Sequence, residues 1–167
     1  MDQGAQAGSQ AVPRMEEILR GGATCLLTVT GYSMVPFLRH GRDAVILAQP
    51  TRERLRPGRI LFFRRPGGDY ILHRLRRVER DGTLILCGDA QSWTERIRPS
   101  QIIGAAVAVR RETGRVVDCG SFSWRLCSAL WYPTRPIRPL LFRIWAAGKK
   151  CAAFFGGTKK NKGREET

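Results

Sequence analysis

The chain has no lysine before position 149: all five of its lysines, Lys149, Lys150, Lys159, Lys160 and Lys162, fall among the last 19 of 167 residues. Chemistry that needs a lysine ε-amine as base or nucleophile is thereby excluded from the first 148 residues. Histidine is nearly as scarce, with only His40 and His73. The five cysteines, Cys25, Cys87, Cys119, Cys127 and Cys151, form no C-x-x-C pair, so neither a zinc site nor a dithiol motif has its spacing. No metal or other cofactor is expected. An odd cysteine count, and no apolar h-region in Met1 to Pro13, fit reduced thiols and a cytoplasmic location. No charge-free apolar run reaches the roughly 18 residues of a transmembrane helix.

Acidic residues are also few. Lys and Arg total 29 against 14 Asp and Glu, a net charge of +15, which makes something acidic a fitting neighbour. Residues 1–120 carry 19 basic and 12 acidic groups, whereas residues 121–167 carry 10 and 2. The C-terminal part is therefore a separate compositional zone. With 43% hydrophobic and 26% charged residues, the chain has the composition of one folded domain with tails.

The pattern along the chain is mainly β. Residues 1–12 are polar and read as a disordered leader; Pro13 opens a short helix with Met15, Ile18 and Leu19 on one face, ending at Gly21-Gly22. Segments 24–30, 44–48, 59–63, 70–79, 83–87, 102–110 and 115–119 are short and rich in Val, Ile, Leu, Phe and Thr. Gly, Pro and Asp clusters separate them, as expected of strands. Pro66-Gly67-Gly68-Asp69 and Arg80-Asp81-Gly82 have hairpin-turn chemistry. After Ser33, the spacing of Met34, Phe37 and Leu38 predicts one or two helical turns. Beyond Gly120 the pattern is helical again over 121–131 and 138–155, split by prolines. The organisation expected is a leader (1–12), a mainly β domain (13–120), an aromatic and basic helical tail (121–155) and a disordered basic end (156–167).

Three elements carry chemistry: Gly31-Tyr32-Ser33-Met34-Val35-Pro36, Leu72-His73-Arg74 and Cys87-Gly88-Asp89. They supply a nucleophile, a base and an acid able to orient the base. Gly31 permits a sharp turn, and N–H groups opening a helix after Ser33 could hold an oxyanion. Strand alternation puts His73 with Ile71 and Leu75 on an apolar face, which favours the neutral imidazole a base requires. Each feature alone has a plainer reading: Ser33 as a helix cap, His73 as a half-buried strand residue, Gly88-Asp89 as a turn.

Together they resemble the serine peptidase clan of type I signal peptidases and LexA-type self-cleaving repressors. Residues 31–36 match its Gly-x-Ser-Met-x-Pro box, and Leu38 to Asp43 loosely match a Leu-x-x-Gly-Asp turn. Leu55-Arg56-Pro57-Gly58-Arg59-Ile60-Leu61-Phe62-Phe63 matches the next strand, with Arg59 where the family usually has Asp. His73-Arg74-Leu75 and Gly88-Asp89-Ala90 stand where the endoplasmic-reticulum and archaeal branch has His-Arg-Val and Gly-Asp-Asn. The likeness covers about residues 24–110 and implies a coiled β-sheet body with a short N-terminal helix and a helical C-terminal tail. The clan uses either a Ser–Lys or a Ser–His pair, and with no lysine available the resemblance implies Ser33 with His73. Asp89 matches the first acid of the family's turn and is the expected third member; Glu95 falls at the last acid. Gly31, Met34 and Pro36 are expected around the oxyanion and substrate. His40, beside Gly41 in a surface turn, is expected to have no catalytic role.

The activity so implied is serine endopeptidase cleavage of a precursor or leader peptide. Two other readings stand beside it. One is a LexA-like self-cleaving regulator, with Ala7-Gly8 as the scissile bond. The other is a non-catalytic basic module for anionic membrane or nucleic acid, against which the intact Ser33, His73 and Asp89 speak. Eight of the fourteen aromatics lie in 121–155, interspersed with arginine and lysine. That stretch either packs across the β body or rests on an anionic membrane; nucleic acid fits it less well.

Overall fold

A computed structural model describes residues 3–131, 133 and 134. Helix α1 (Gln3–Arg20) is followed by strands β1 (Cys25–Thr28), β2 (Ala44–Ala48), β3 (Ile60–Arg64), β4 (Tyr70–Val78), β5 (Leu84–Cys87) and β6 (Glu95–Ile97). A 3-10 turn (Pro99–Gln101) leads to β7 (Ile102–Arg110), β8 (Val116–Asp118) and helix α2 (Phe122–Trp131). The strands form one antiparallel sheet in the order β1-β2-β7-β3-β4-β5-β6, with β8 also paired to β7. The mainly β architecture expected from the sequence is thus present. All seven expected strands are there, and β6 is an eighth.

Side-chain alternation splits the core in two. Ile60 and Phe62 of β3 join Val45, Leu47, Ile103 and Val109 in one cluster, which Leu19 of α1 and Trp124 of α2 complete. Leu61 and Phe63, pointing the other way, join Leu75, Leu84, Leu86, Ile97 and Ile102. Strand β3 is therefore buried on both faces and reads as a continuous apolar run. The second cluster draws residues from β3 through β6, so the sheet curls around it.

Helix α1 begins well before Pro13, which lies inside it. The Gln- and Ala-rich segment expected to be a disordered leader consists largely of good helix formers, and Val12 extends the core-facing stripe of Met15 and Leu19. Gly104 lets this helix settle on β7, because a Cβ there would lie 3.1 Å from Leu19 Cδ1 and 3.3 Å from Leu47 Cβ. The hairpin turns on either side of β4 fall where expected. Gly68 and Gly82 adopt φ of 96° and 84°, and Asp81 accepts the Thr83 N–H at 2.9 Å to fix the second hairpin.

The chain divides into one compact unit over Met1–Pro133 and another over Thr134–Thr167. Helix α2, expected as the start of a separate tail at 121, falls in the first unit with Trp124 buried in its core. The helical stretch expected over 138–155 and the basic end at 156–167 lie outside the described residues. Among the described residues no helix is long and apolar enough to cross a membrane.

Candidate active site

Ser33 sits on an excursion between β1 and β2 that is closed at its base by two backbone bonds, Val29 N–H to Asp43 O and Gly41 N–H to Val29 O, both 2.9 Å. Met34 and Leu38 anchor the loop in the core, at 2% and 0% exposure, while Ser33 itself is half-buried. No α-helix follows Ser33. Residues 33–37 are turns with a single i to i+4 bond, Leu38 N–H to Met34 O at 2.9 Å. The apolar spacing that predicts a helix serves instead to pin one turn to the core.

The N–H of Gly31 is already engaged, donating to His40 Nδ1 at 2.9 Å. Gly31 thus supplies a left-handed turn (φ 85°) rather than an oxyanion donor. His40, its ring tilted at 39° to that of Tyr32 with centroids 5.0 Å apart, steadies the serine turn from the outside. Pro36 has no N–H to give, and the Met34 side chain is buried, so of Gly31, Met34 and Pro36 only Met34 could offer an oxyanion a backbone N–H. Below the loop, Asp43 accepts from the Arg39 backbone N–H at 2.9 Å and from Arg39 Nη2 and Arg111 Nη1 at 3.1 and 2.7 Å. Burial disfavours the Asp43 carboxylate, but these donors outweigh it and hold its carboxyl below the usual range.

The serine loop docks on the turn after β5. Ala90 donates its N–H to Ser33 O at 2.8 Å. A Cβ on residue 88 would lie 2.6 Å from that same oxygen, so Gly88 is required for the approach. The turn itself is held by the buried Cys87 thiol, 2.9 Å from Trp93 O. Because β4 pairs Arg74 with Cys87, His73 stands one position from the strand end that carries Gly88. Ser33 and His73 are thereby on neighbouring segments, although no hydrogen bond joins the serine hydroxyl to the imidazole among the described residues.

His73 is 1% exposed and lies on the expected face, beside the Phe63 ring with centroids 6.0 Å apart. Its carboxylate partner is Glu95. Glu95 Oε1 lies 2.9 Å from His73 Nδ1, off the line of a well-formed N–H bond. Burial pushes the imidazole below its ordinary value; Glu95 opposes that shift and Arg65 adds to it. Glu95 in turn is held below the usual carboxyl range, first by hydrogen bonds from Arg65, with burial opposing and His73 assisting.

Asp89, expected against the imidazole, is elsewhere. Its fully buried carboxylate takes Arg74 Nη2 at 2.6 Å, Arg74 Nε at 2.9 Å and Arg76 Nη2 at 3.0 Å. Arg74 follows His73 in the strand and so points to the opposite face, where its guanidinium lies 4.8 Å from the Phe37 ring centroid and 5.9 Å from that of Trp124. A buried guanidinium demands a buried carboxylate, and that demand fixes Asp89. Sequence reasoning passed over Arg65 and the pairing of Arg74 with Asp89. An arginine amid apolar strand residues was the available signal for the second; nothing marked the first.

Ala7-Gly8, the bond considered for self-cleavage, lies within α1 and would have to unwind before entering any active site in extended form.

A family model described as Peptidase S24-like matches residues 2–107. No curated protein and no solved structure matches the chain.

Proposed function

Since the chain belongs to the Peptidase S24-like family, a branch of the LexA and signal-peptidase superfamily of serine peptidases, we propose that it is a serine endopeptidase working through Ser33, His73 and Glu95. The observation that carries this reading is the carboxylate of Glu95 at 2.9 Å from His73 Nδ1 in a chain with no lysine before position 149. A carboxylate facing Nδ1 favours the tautomer that leaves Nε2 for the serine proton. Ser33 Oγ attacks the peptide carbonyl while His73 takes its proton. His73 then returns a proton to the leaving amine, and water releases the acyl group by the same route. Catalytic hydrogen bonds of this kind are often long or poorly aligned without substrate and tighten when it binds. Backbone N–H groups at Ser33 and Met34 are the donors proposed for the developing oxyanion.

As substrate we propose an extended segment of a precursor, such as a leader peptide, that adds to the edge strand β1 leading into the serine loop. The basic and aromatic residues beyond Pro133 form the part of the chain proposed to rest on an anionic membrane; their composition supports it.

The test is reaction of the full-length protein with a fluorophosphonate, with the modified residue located by mass spectrometry. Labelling should fall on Ser33, vanish in Ser33→Ala and slow by about a thousandfold in His73→Ala. Undiminished labelling of Ser33→Ala overturns the assignment.

A further inference from the structure

Glu95 is gripped on both oxygens. Arg65 Nε donates to Oε2 at 2.7 Å and Arg65 Nη2 to Oε1 at 2.7 Å, and Oε1 is also the atom facing His73 Nδ1. Arg65 follows the last residue of β3, and Glu95 opens β6, with β4 and β5 between them in the sheet. The curl of the sheet brings the two together across the imidazole. Resting on the peptidase reading above, we propose that Arg65 is a positioning residue of that site: its guanidinium locks the Glu95 carboxylate against His73 and neutralises it, so that the imidazole is oriented without being held in its charged form.

A lone carboxylate beside a buried imidazole has two opposed effects. It aligns the ring, and it stabilises imidazolium, by an amount that for a near opposite charge reaches roughly 1–3 pH units. The second effect removes a base from service at neutral pH. A two-pronged guanidinium cancels most of the carboxylate's charge while leaving Oε1 in place as an acceptor. The groups acting on His73 are consistent with that division. Glu95 of β6 and Asp89 of the turn after β5 favour imidazolium; Arg65 and burial oppose it. Phe63 of β3 packs on the ring without charge. Asp89 has its own cations in Arg74 and Arg76, whereas the charge on Glu95 is answered by Arg65. The contact of Arg65 Nη1 with Asp69 at 3.9 Å is longer and leaves the fork on Glu95 undisturbed.

The experiment is a histidine NMR titration of the full-length protein, with the His40 signal identified from His40→Asn, run alongside the pH dependence of fluorophosphonate labelling at Ser33. Arg65→Gln should raise the His73 midpoint by about one unit and move the acid limb of labelling up with it. Glu95→Gln, which leaves the guanidinium unopposed, should lower the midpoint. Arg65→Lys keeps the charge but loses the fork, and should raise the midpoint by a smaller amount. A purely structural clasp predicts the same His73 midpoint in all Arg65 variants that fold, and that result overturns the proposal. Should Arg65→Gln fail to fold, an unmoved midpoint in Arg65→Lys overturns it equally. The midpoint is read without substrate, so a wild-type protein that does not label at Ser33 sinks the peptidase reading, while an unmoved midpoint in protein that does label sinks the role of Arg65 alone.

Discussion

Arg74 and Asp89 form an ion pair with both side chains withdrawn from solvent, Nη2 to Oδ2 at 2.6 Å. The pair joins β4 to the turn on which the serine loop rests, and Phe37 and Trp124 lie over the guanidinium. The Asp89 carbonyl also accepts the Trp131 Nε1–H at 2.8 Å, tying in the end of α2. The two acids near the site are thus divided between two tasks. Asp89→Asn should therefore cost stability, about 3–5 kcal/mol, because it leaves a buried guanidinium without its counter-charge. Glu95→Gln should cost little stability and most of the rate. Chemical denaturation and fluorophosphonate labelling of the two variants check the division; a rate defect larger in folded Asp89→Asn than in Glu95→Gln would return the orienting role to Asp89.

Gly88 carries a prediction that no conservative replacement escapes. A Cβ at this position would stand 2.6 Å from Ser33 O, and the obstacle is backbone, so the serine loop must move. Since a misplacement of about 1 Å can cost about a hundredfold in rate, Gly88→Ala should lower Ser33 labelling by about that factor while circular dichroism still reports a folded sheet. Labelling at the wild-type rate would show that the loop does not need this docking.

The strands were legible in the sequence because they follow simple rules: β-branched and aromatic runs, bounded by glycine turns, with β3 apolar from Ile60 to Phe63 as a strand buried on both faces. Strand β6 was not. Glu95-Arg96-Ile97 has no strand signature, and it exists because Leu84, Ile85 and Leu86 of β5 offer it a partner. That short strand is also what carries Glu95 to His73, so the sequence offered Glu95 only as the alternative to Asp89 and not as the carboxylate beside the imidazole. Ser33 and His73 stood out through local motifs, whereas the choice between Asp89 and Glu95 depends on which face of the sheet each turn delivers its acid to. The alternation that put His73 on one face had already put Arg74 on the other. Asking what could neutralise Arg74 would have assigned Asp89.

Stability should fall on acidification in two stages. The folded state holds His73 below its ordinary value of 6.5, so as the pH drops below that value the unfolded chain takes up the proton first. Stability is complete above that pH and declines through the window beneath it. Asp43 and Glu95 are also held below their ordinary values; their contribution is present above the usual carboxyl range and is lost as the pH falls through their lower folded values. Thermal melts should show the first loss beginning near pH 6.5 and a second below about pH 4. His73→Gln should remove the first stage and Asp43→Asn should shrink the second. A melting temperature that does not change between pH 7 and 5 in the wild type would contradict the depressed imidazole.

The proposed membrane contact requires a cut that the fold dictates. Truncation after Gly120 would remove Trp124, a core residue at 6% exposure, and a loss of binding would then be indistinguishable from a loss of folding. Ending the chain at Pro133 keeps α2 and the whole first compact unit, while removing Phe142, Trp145, Phe154 and Phe155 together with Lys149, Lys150, Lys159, Lys160 and Lys162. Aromatic side chains favour the interface and basic ones an anionic surface, each basic group adding about 1 kcal/mol near such a surface. The full-length protein should sediment with vesicles containing anionic lipid and release as salt is raised, since the electrostatic part is screened over roughly 8–10 Å at physiological ionic strength. The protein ending at Pro133 should stay in the supernatant yet still label at Ser33. Equal sedimentation of the two forms would place the membrane contact in the β body or abolish it.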